Sequence, residues 1–328
     1  MFKKIVLIVL AFTLALGCTN AKAAGFVTNS ITDLSMDAQH YYHTKVDYAD
    51  MVVTHVDDEL YEVLHYTQSG KMLKLQLYKT AWGTWNLGDF SLVDNTGIQK
   101  TVIGGGTDWE YVFRVFNPIT QNLEFTGGNH GSEVCSSLVM YDSVTGLAVN
   151  PAIGESMYVN RLVIEEDTTI LLANVDYLPY ANVKRVYTVV GDRVNLDCKV
   201  TFTRDVKMAM SYTTMACVNK DFSRYSNFDS LAYHTTEARG ASTGAYYGHV
   251  PASVCYLYGD DLQATVTVGI FNEKDMTDNF SNRDKTFIWD MSEQFNKLYF
   301  SKYDMTTLNT IRAGEEWNFA SYWKVNLQ

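Results

Sequence analysis

Proline, cysteine and basic residues are scarce in this chain of 328 residues. It contains four prolines and five cysteines, and its 26 lysines and arginines stand against 37 aspartates and glutamates. Five cysteines are too few for a small domain stapled by disulfides. The net charge of −11 argues against a nucleic-acid partner, because proteins that bind nucleic acids neutralise phosphates with Lys and Arg.

Hydrophobic residues make up 47% of the chain and aromatic residues 13%, which is enough for a large packed core. This composition excludes intrinsic disorder, which requires low hydrophobicity. No apolar run in the sequence approaches the ~18 residues of a transmembrane helix. The sequence therefore predicts a folded, acidic protein that has no membrane-spanning helix.

The first 24 residues have the pattern of a secretory signal peptide. Lys3 and Lys4 precede an apolar run over residues 5–16, and small residues follow. This run is too short to cross ~30 Å of hydrocarbon at ~1.5 Å per residue. We therefore predict that residues 1–24 direct export from a bacterial cell and that residues 25–328 form one exported domain.

Two processing routes remain open at the end of this segment. Ala21-Lys22-Ala23 fits the small-x-small pattern of soluble release, whereas the stretch from Ala15 to Cys18 resembles a bacterial lipobox that would place a lipid on Cys18. The expected location is accordingly secreted, periplasmic or anchored as an outer-membrane lipoprotein. Removal of the segment leaves 23 basic against 37 acidic residues, a net charge of −14.

Four cysteines follow the signal segment: Cys135, Cys198, Cys217 and Cys255. Disulfides persist in exported compartments, and four cysteines allow three pairings between which the sequence does not decide. Buried free thiols are an equal alternative. The chain has no C-x-x-C motif, which disfavours a zinc knuckle or a redox site.

Strict alternation of apolar and polar residues dominates the rest of the chain. It runs through residues 72–79, 194–204, 262–271 and 317–327, and turn-forming clusters separate these runs. Such alternation is typical of antiparallel strands that have one face on a core and one in water. Two segments, residues 30–46 and 292–303, are the candidates for short helices. The predicted fold is all-β: a large antiparallel β-sandwich of the jelly-roll or super-sandwich type with one or two short helices.

The segment from Phe125 to Glu133 is the most unusual in the chain, because glycines bracket the pair Asn129 and His130. Glycines at this density allow positive φ angles and a close approach of the backbone to a ligand. An amide and an imidazole can neutralise a carboxylate and move a proton near neutral pH. The alternative is a glycine-rich connection whose polar groups satisfy only the local backbone.

This Gly-Gly-Asn-His-Gly stretch, with the hairpin predicted after it, resembles segments of β-rich bacterial and phage proteins that act on polysaccharides. The resemblance implies a polysaccharide lyase that cleaves an acidic, uronate-containing polymer by β-elimination without a cofactor. In this interpretation Asn129 neutralises the carboxylate and His130 is the base. Arg185 and Tyr187, two apart and hence on one strand face, are the clamp and the acid.

Further side chains are candidates for contact with the polysaccharide. They lie in a second strand-like run, in a long polar segment and beside a turn. These candidates are Arg161, His234, Arg239, Tyr247, His249 and Trp109.

Other functions remain open. The same candidate residues would serve a non-catalytic glycan-binding or adhesion lipoprotein. A glycosidase would need two carboxylates, for which Glu110, Glu124, Glu133 and Asp197 are candidates, and a structural envelope lipoprotein would bind no small ligand. The spacing His130-x-x-Glu133 resembles that of zinc carboxypeptidases, with His234 as a third ligand, and implies a zinc-dependent hydrolase. The hairpin predicted after the motif departs from those enzymes, in which a long helix follows it, so no metal is expected.

Overall fold

The computed structural model describes residues 51–67, 71–94, 96–104, 108–175, 178–250, 252–271, 286–303 and 307–328. The predicted signal peptide, the lipobox cysteine Cys18 and the predicted helix over residues 30–46 lie outside the described residues. Export, lipidation and the boundary at residue 25 therefore stay predictions.

The described residues form 22 strands and two single 3-10 turns, at Gly128–His130 and Lys220–Phe222. The strands are β1 (Met51–Asp57), β2 (Leu60–Tyr66), β3 (Met72–Lys79), β4 (Trp85–Val93), β5 (Gln99–Ile103), β6 (Val112–Asn117), β7 (Asn122–Thr126), β8 (Glu133–Asp142), β9 (Ser156–Val159), β10 (Leu162–Leu171), β11 (Pro179–Val190), β12 (Arg193–Phe202), β13 (Val206–Asn219), β14 (Tyr225–Phe228), β15 (Tyr233–Thr235), β16 (Tyr246–Val250), β17 (Val254–Tyr258), β18 (Ala264–Ile270), β19 (Thr286–Trp289), β20 (Phe295–Tyr303), β21 (Asn309–Ile311) and β22 (Glu316–Leu327).

These strands form two antiparallel sheets. The larger has 13 described strands, and its main path runs β16-β19-β20-β13-β5-β4-β3-β2-β1-β9, with β6 and β21 also paired to β13 and β7 paired to β6. The smaller has nine, in the order β15-β14-β17-β18-β22-β12-β11-β10-β8. The prediction of a large all-β sandwich is confirmed, and the described residues contain no α-helix.

The alternation in the sequence explains how the two sheets pack. In β22, Trp317, Phe319 and Trp323 point into the space between the sheets and are at most 1% exposed. Trp109 meets Trp323 edge-on, with 5.5 Å between ring centroids, and Phe202 meets Trp317 in the same way at 4.9 Å. A continuous aromatic core therefore holds the faces of the two sheets together.

The helix predicted over residues 292–303 is wrong. Residues 295–303 form β20, which pairs with β13 and β19. Leu298 and Phe300 face the core, while Lys297 and Tyr299 face outwards. This is a period of two, which a strand between two partners satisfies and a helix does not.

None of the four cysteines of the described region forms a disulfide. Cys198, Cys217 and Cys255 are buried and Cys135 is half-buried, so the alternative of thiols without disulfides is the one observed. Within the described residues, no helix has the length and apolar character needed to cross a membrane.

Candidate functional site

The glycine-rich segment forms a sharp turn between β7 and β8. Gly127, Gly128 and Gly131 have φ angles of 82°, 51° and 72°. A Cβ at position 128 would come within 2.8 Å of the backbone oxygen of Tyr111, so this position requires glycine. The turn presents Asn129 and His130 at the outer face of the larger sheet. The prediction that these glycines adopt positive φ angles is therefore confirmed.

His130 is the accessible titratable group of this turn. Its side chain is 42% exposed, its Nε2 lies 3.5 Å from Oδ2 of Asp108, and its ring stacks on Phe125 with 4.7 Å between centroids. Burial lowers the pKa of His130, nearby Lys297 lowers it further, and Asp108 raises it in part. The net lowering favours a neutral imidazole at pH 7, the form that can accept a proton.

Asp108 connects three groups of the site. Its Oδ2 also lies 3.6 Å from Nζ of Lys297, and its Oδ1 accepts a hydrogen bond of 2.6 Å from the backbone N–H of Asn129. The side chains of Asp108 and Lys297 are only 5% and 9% exposed. The carboxylate therefore fixes the turn, the imidazole and an ammonium group relative to one another.

The side chain of Asn129 faces partly inwards. Its Oδ1 accepts hydrogen bonds from the phenol of Tyr78 and from Nδ2 of Asn86, the latter at 3.0 Å. Burial and the neighbouring carboxylate of Glu110 raise the pKa of Tyr78 to about 12, so this phenol stays a donor at neutral pH. The oxygen of Asn129 is thereby held by the protein.

Arg185 and Tyr187 are on one strand face, as predicted, but that face is the core. Both are 0% exposed. Nε of Arg185 donates to Glu166 at 2.6 Å, and the hydroxyl of Tyr187 donates to Glu110 at 2.7 Å. A bound polymer cannot reach either group, so their predicted roles as clamp and acid are wrong.

The reason lies in the pattern of β11. Val183 and Val189 share the face of Arg185 and Tyr187 and are buried with them, while Lys184 points out. Nη2 of Arg185 donates to Oδ1 of Asn86 at 3.0 Å, and Asn86 in turn donates to Asn129. Arg185 thus supports the turn from behind as a positioning residue.

The other predicted contacts are dispersed. Trp109 is 1% exposed in the core, which contradicts its predicted contact with the polysaccharide. Tyr247 also packs on the core, beside His234 at 6.1 Å between ring centroids. Arg239 is exposed and pairs with Asp221 at 2.7 Å. Arg161 follows β9, at the end of the larger sheet opposite to β16, so it is not part of the His130 site.

His249 does lie on the outer face of the larger sheet, where it joins a row of aromatic rings. The row, here called the aromatic strip, is held by β13, β16, β19 and β20 and leads from Lys297 to the edge strand β16. Centroid distances between neighbouring rings are 4.4–5.7 Å. The aromatic strip comprises Tyr212, Tyr299, Phe287, Tyr246 and Trp289. Tyr246 is 55% exposed, whereas Phe287 and Tyr299 are only 5% and 6% exposed, so the accessible part of the strip lies towards β16. His249 stacks on Phe287 at 4.8 Å.

The strip and the turn meet at Lys297, whose Nζ lies 5.3 Å from the ring centroid of Tyr299. Burial raises the pKa of Tyr299, so its phenol stays protonated. Sequence reasoning missed Asp108, Lys297 and Tyr299. The alternation within β20 was the one available signal, because it places Lys297 and Tyr299 on a common face.

A metal centre is not formed by the predicted ligands. Glu133 is 1% exposed and accepts hydrogen bonds from the phenol of Tyr111 and from the backbone N–H of Gly128, so it points away from His130. In the part of the chain that the structure describes, no three His, Cys, Asp or Glu side chains come together as a metal site.

No family model matches the sequence, and no curated protein is similar to it. Among solved structures, the chain is similar to the GH36 α-galactosidase AgaB of Geobacillus stearothermophilus (TM-score 0.43, 9% identity), covering 81% of this chain and 41% of the galactosidase. The chain is also similar to a putative mutarotase of Salmonella typhimurium, with a TM-score of 0.42 and 10% identity; the match covers 84% of this chain and 97% of the mutarotase. A third match is a protein of Synechocystis sp. PCC 6803, with a TM-score of 0.43 and 8% identity; it covers 84% of this chain and 98% of that protein. Two of these three proteins are carbohydrate-active by name.

Proposed function

We propose that the protein binds a uronate-containing polysaccharide along the aromatic strip and cleaves it by β-elimination with His130 as the base. The observation that carries this proposal is the joining of a half-exposed imidazole, a carboxylate and an ammonium group at one end of a row of rings. Aromatic rings stack on the apolar faces of sugars, and a neutral imidazole removes protons near pH 7.

Each step of the elimination has a candidate group. The ammonium of Lys297 attracts the uronate carboxylate and so makes the C5 proton more acidic, in place of Asn129, whose amide oxygen is held by Tyr78 and Asn86. His130 takes this proton, the C–H electrons form the C4–C5 double bond, and the bond from C4 to the leaving oxygen breaks. The phenol of Tyr299, which is 6% exposed, is the candidate donor of a proton to that oxygen, because its ring lies next to Lys297 on the same face of β20.

Glycan binding without turnover is the second candidate. It is favoured by the position of Lys297, whose side chain is 9% exposed and whose charge is shared with Asp108 at 3.6 Å. A cation that is already paired neutralises a substrate carboxylate less effectively. In this case the aromatic strip and His249 would bind the saccharide and His130 would serve only as a hydrogen-bonding partner.

The two candidates differ in their products. The mature protein is incubated with alginate, glucuronan, hyaluronan and pectate while ultraviolet absorbance of the unsaturated product is followed. We expect product with one of these polymers and its loss in His130→Ala. His55→Ala is the matched control, because His55 stacks on Tyr61 near the other end of the larger sheet. Binding without product would support the second candidate, and neither binding nor product would reject both.

We further propose that the protein is exported, on the basis of residues 1–24. Fractionation of a bacterium that expresses the full chain tests this proposal. Cys18→Ser separates the two routes, because it shifts the protein from the membrane to the soluble fraction only if Cys18 carries a lipid. Recovery of the uncleaved chain in the cytoplasm would contradict export.

A further inference from the structure

Four tyrosines cluster on the outer face of the smaller sheet, far in the topology from His130. They lie on β14, β15 and β17, the three strands at one edge of that sheet. Cross-strand pairing brings Tyr225 opposite Tyr258, and Asn227 opposite both Tyr233 and Tyr256. We call this surface the tyrosine platform: Tyr225, Tyr233, Tyr256 and Tyr258.

The rings point away from the core because their strand neighbours point into it. Ser226, Phe228, Cys255 and Leu257 alternate with the tyrosines and are at most 1% exposed. Tyr233, Tyr256 and Tyr258 are 53%, 49% and 37% exposed. Contiguous exposure of several large rings on one surface is uncommon in soluble proteins and marks sites that bind something.

The rings are already arranged with respect to one another. Tyr225 stacks on Tyr258 with 5.3 Å between centroids and lies 6.5 Å from Tyr233 at an interplanar angle of 15°. A surface with this order loses little side-chain entropy when a ligand binds to it.

The charges beside the platform favour a neutral ligand over an acidic one. Arg224 lies 5.3 Å from the ring centroid of Tyr225 and donates to Asp260 at 2.8 Å, so its charge is paired. The phenol of Tyr225 contacts the same carboxylate at 3.4 Å. Asp260 remains 61% exposed. Lys324, opposite Thr267 on the same face, lies 3.9 Å from a carboxylate oxygen of Asp192. Among the described side chains beside the platform, Arg224 and Lys324 are thus both paired, and the exposed carboxylate of Asp260 would repel a polyanion.

The chemistry of the platform therefore fits a neutral polyhydroxylated chain. The rings provide apolar surface for pyranose faces, and the phenols and the amide of Asn227 supply donors and acceptors for sugar hydroxyls. Neighbouring outward positions hold Thr235, Thr265 and Thr267, where the core of a protein–protein interface would be apolar. We infer that the tyrosine platform is a second saccharide-binding surface and that its ligand is a neutral polysaccharide.

Affinity electrophoresis of the full mature chain tests this inference. Native gels contain xyloglucan, galactomannan, hydroxyethyl cellulose or soluble starch, and mobility is compared with that in a gel without polymer. We expect at least one polymer to retard the protein and Tyr233→Ala/Tyr256→Ala to weaken this binding about tenfold or more. The matched control is Tyr66→Ala/Tyr158→Ala, which removes two exposed tyrosines, at 51% and 78%, from the larger sheet.

Three binding results would overturn the inference. The first is that none of the four polymers retards the protein, and the second is that the platform variant binds as well as the wild type. The third is that the control variant weakens binding as much as the platform variant does. Light scattering decides whether the surface is instead a contact with a second copy: dimers that the platform variant abolishes would also overturn it. His130→Ala is expected to bind the neutral polymer normally, which keeps this test separate from that of the lyase.

Discussion

At the scale of single residues, the titration of His130 depends on two neighbouring side chains of opposite charge, the carboxylate of Asp108 and the ammonium of Lys297. Asp108 raises the pKa of His130 and Lys297 lowers it, while burial provides the largest lowering. The base works only when neutral, so activity should fall as the pH drops below the lowered pKa, on the acid side of 6.5.

We predict that substitutions of the two neighbours move this acid limb in opposite directions. Asp108→Asn removes an attraction for the imidazolium and should shift the limb of kcat/KM to lower pH. Lys297→Met removes a repulsion and should shift it to higher pH. Both are expected to lower the maximal rate, and His130→Ala to lower it by ~10²–10⁴-fold. If the acid limbs of the two variants shifted in the same direction, the assignment of His130 as the base would be contradicted.

At the scale of elements, β11 carries two neighbouring basic residues in opposite environments. Arg185 is fully buried against Glu166, whereas Lys184 is 55% exposed at 3.3 Å from Glu165. Arg185→Leu leaves a buried carboxylate without its cation and should cost ~3–5 kcal/mol of unfolding free energy. Lys184→Leu should cost less than ~1 kcal/mol. Urea unfolding measures both, and equal losses would show that Arg185 does not hold the interior.

The segment that follows β15 is anchored by a buried ion pair. Lys220 pairs with Asp290 and also donates to the backbone oxygen of Ala241, while Asp290 accepts from the backbone N–H of Thr243 at 3.0 Å. Burial raises the pKa of Asp290, but its hydrogen bonds with Lys220 and Thr243 outweigh this effect and lower the pKa overall. Its stabilisation is therefore complete above the unfolded pKa and is lost only as the pH falls through the lower folded value.

We predict that Lys220→Met releases this segment at neutral pH. Arg239 lies within it and is exposed, so limited trypsin digestion followed by mass spectrometry should detect faster cleavage after Arg239. Lys207→Met, an exposed lysine on β13, is the control and should leave the cleavage rate unchanged. An unchanged rate in Lys220→Met would mean that other contacts hold the segment.

Strands could be predicted from the sequence where one face of the strand is buried and the other is exposed to solvent. The run over residues 72–79 coincides with β3, and those over 194–204 and 317–327 match β12 and β22 within two residues at each end. The second strand-like run, which contains Arg161 and covers residues 157–164, is instead divided between β9 of the larger sheet and β10 of the smaller sheet. The carboxylate of Asp142 accepts hydrogen bonds from the backbone N–H groups of Asn160 and Arg161. These two bonds to a distant segment interrupt the run between the end of β9 and the start of β10.

The site could be predicted only in part, for a related reason. Asn129 and His130 were found because glycines mark the local backbone, whatever surrounds it. Asp108 and Lys297 lie in unremarkable contexts and meet His130 only through long-range strand pairing. The face of Arg185 was misjudged because a period of two shows which residues share a face and not which face is buried.

At the scale of the whole molecule, the net charge of −11 opposes the approach of an acidic polymer. Salt shortens the Debye length to ~10 Å at ~0.1 M and so screens this repulsion. We predict that KM for the uronate polymer falls as NaCl is raised to ~0.1 M, while binding of a neutral polymer stays constant. A KM that rises with salt would show instead that local attraction dominates the encounter.

The absence of disulfides among the described cysteines implies that reductant does not affect stability. Burial and then Glu166 raise the pKa of Cys135, the least buried of the four, to about 12, which keeps it protonated and slow to react. We predict the same Tm with and without dithiothreitol, measured on the Cys18→Ser variant. Thiol titration should count four groups after denaturation and far fewer before it. A lower Tm under reduction would reveal a disulfide.

The ends of the two sheets differ in how well they resist self-association. The main path of the larger sheet ends in β9 and β16, of four and five residues, and the smaller sheet begins with the three-residue β15. Edges this short give an incoming chain few backbone groups to pair with. The ten-residue β8 at the other end of the smaller sheet, with Val134 and Val139 about half exposed, is where templated aggregation should start when the protein is stressed.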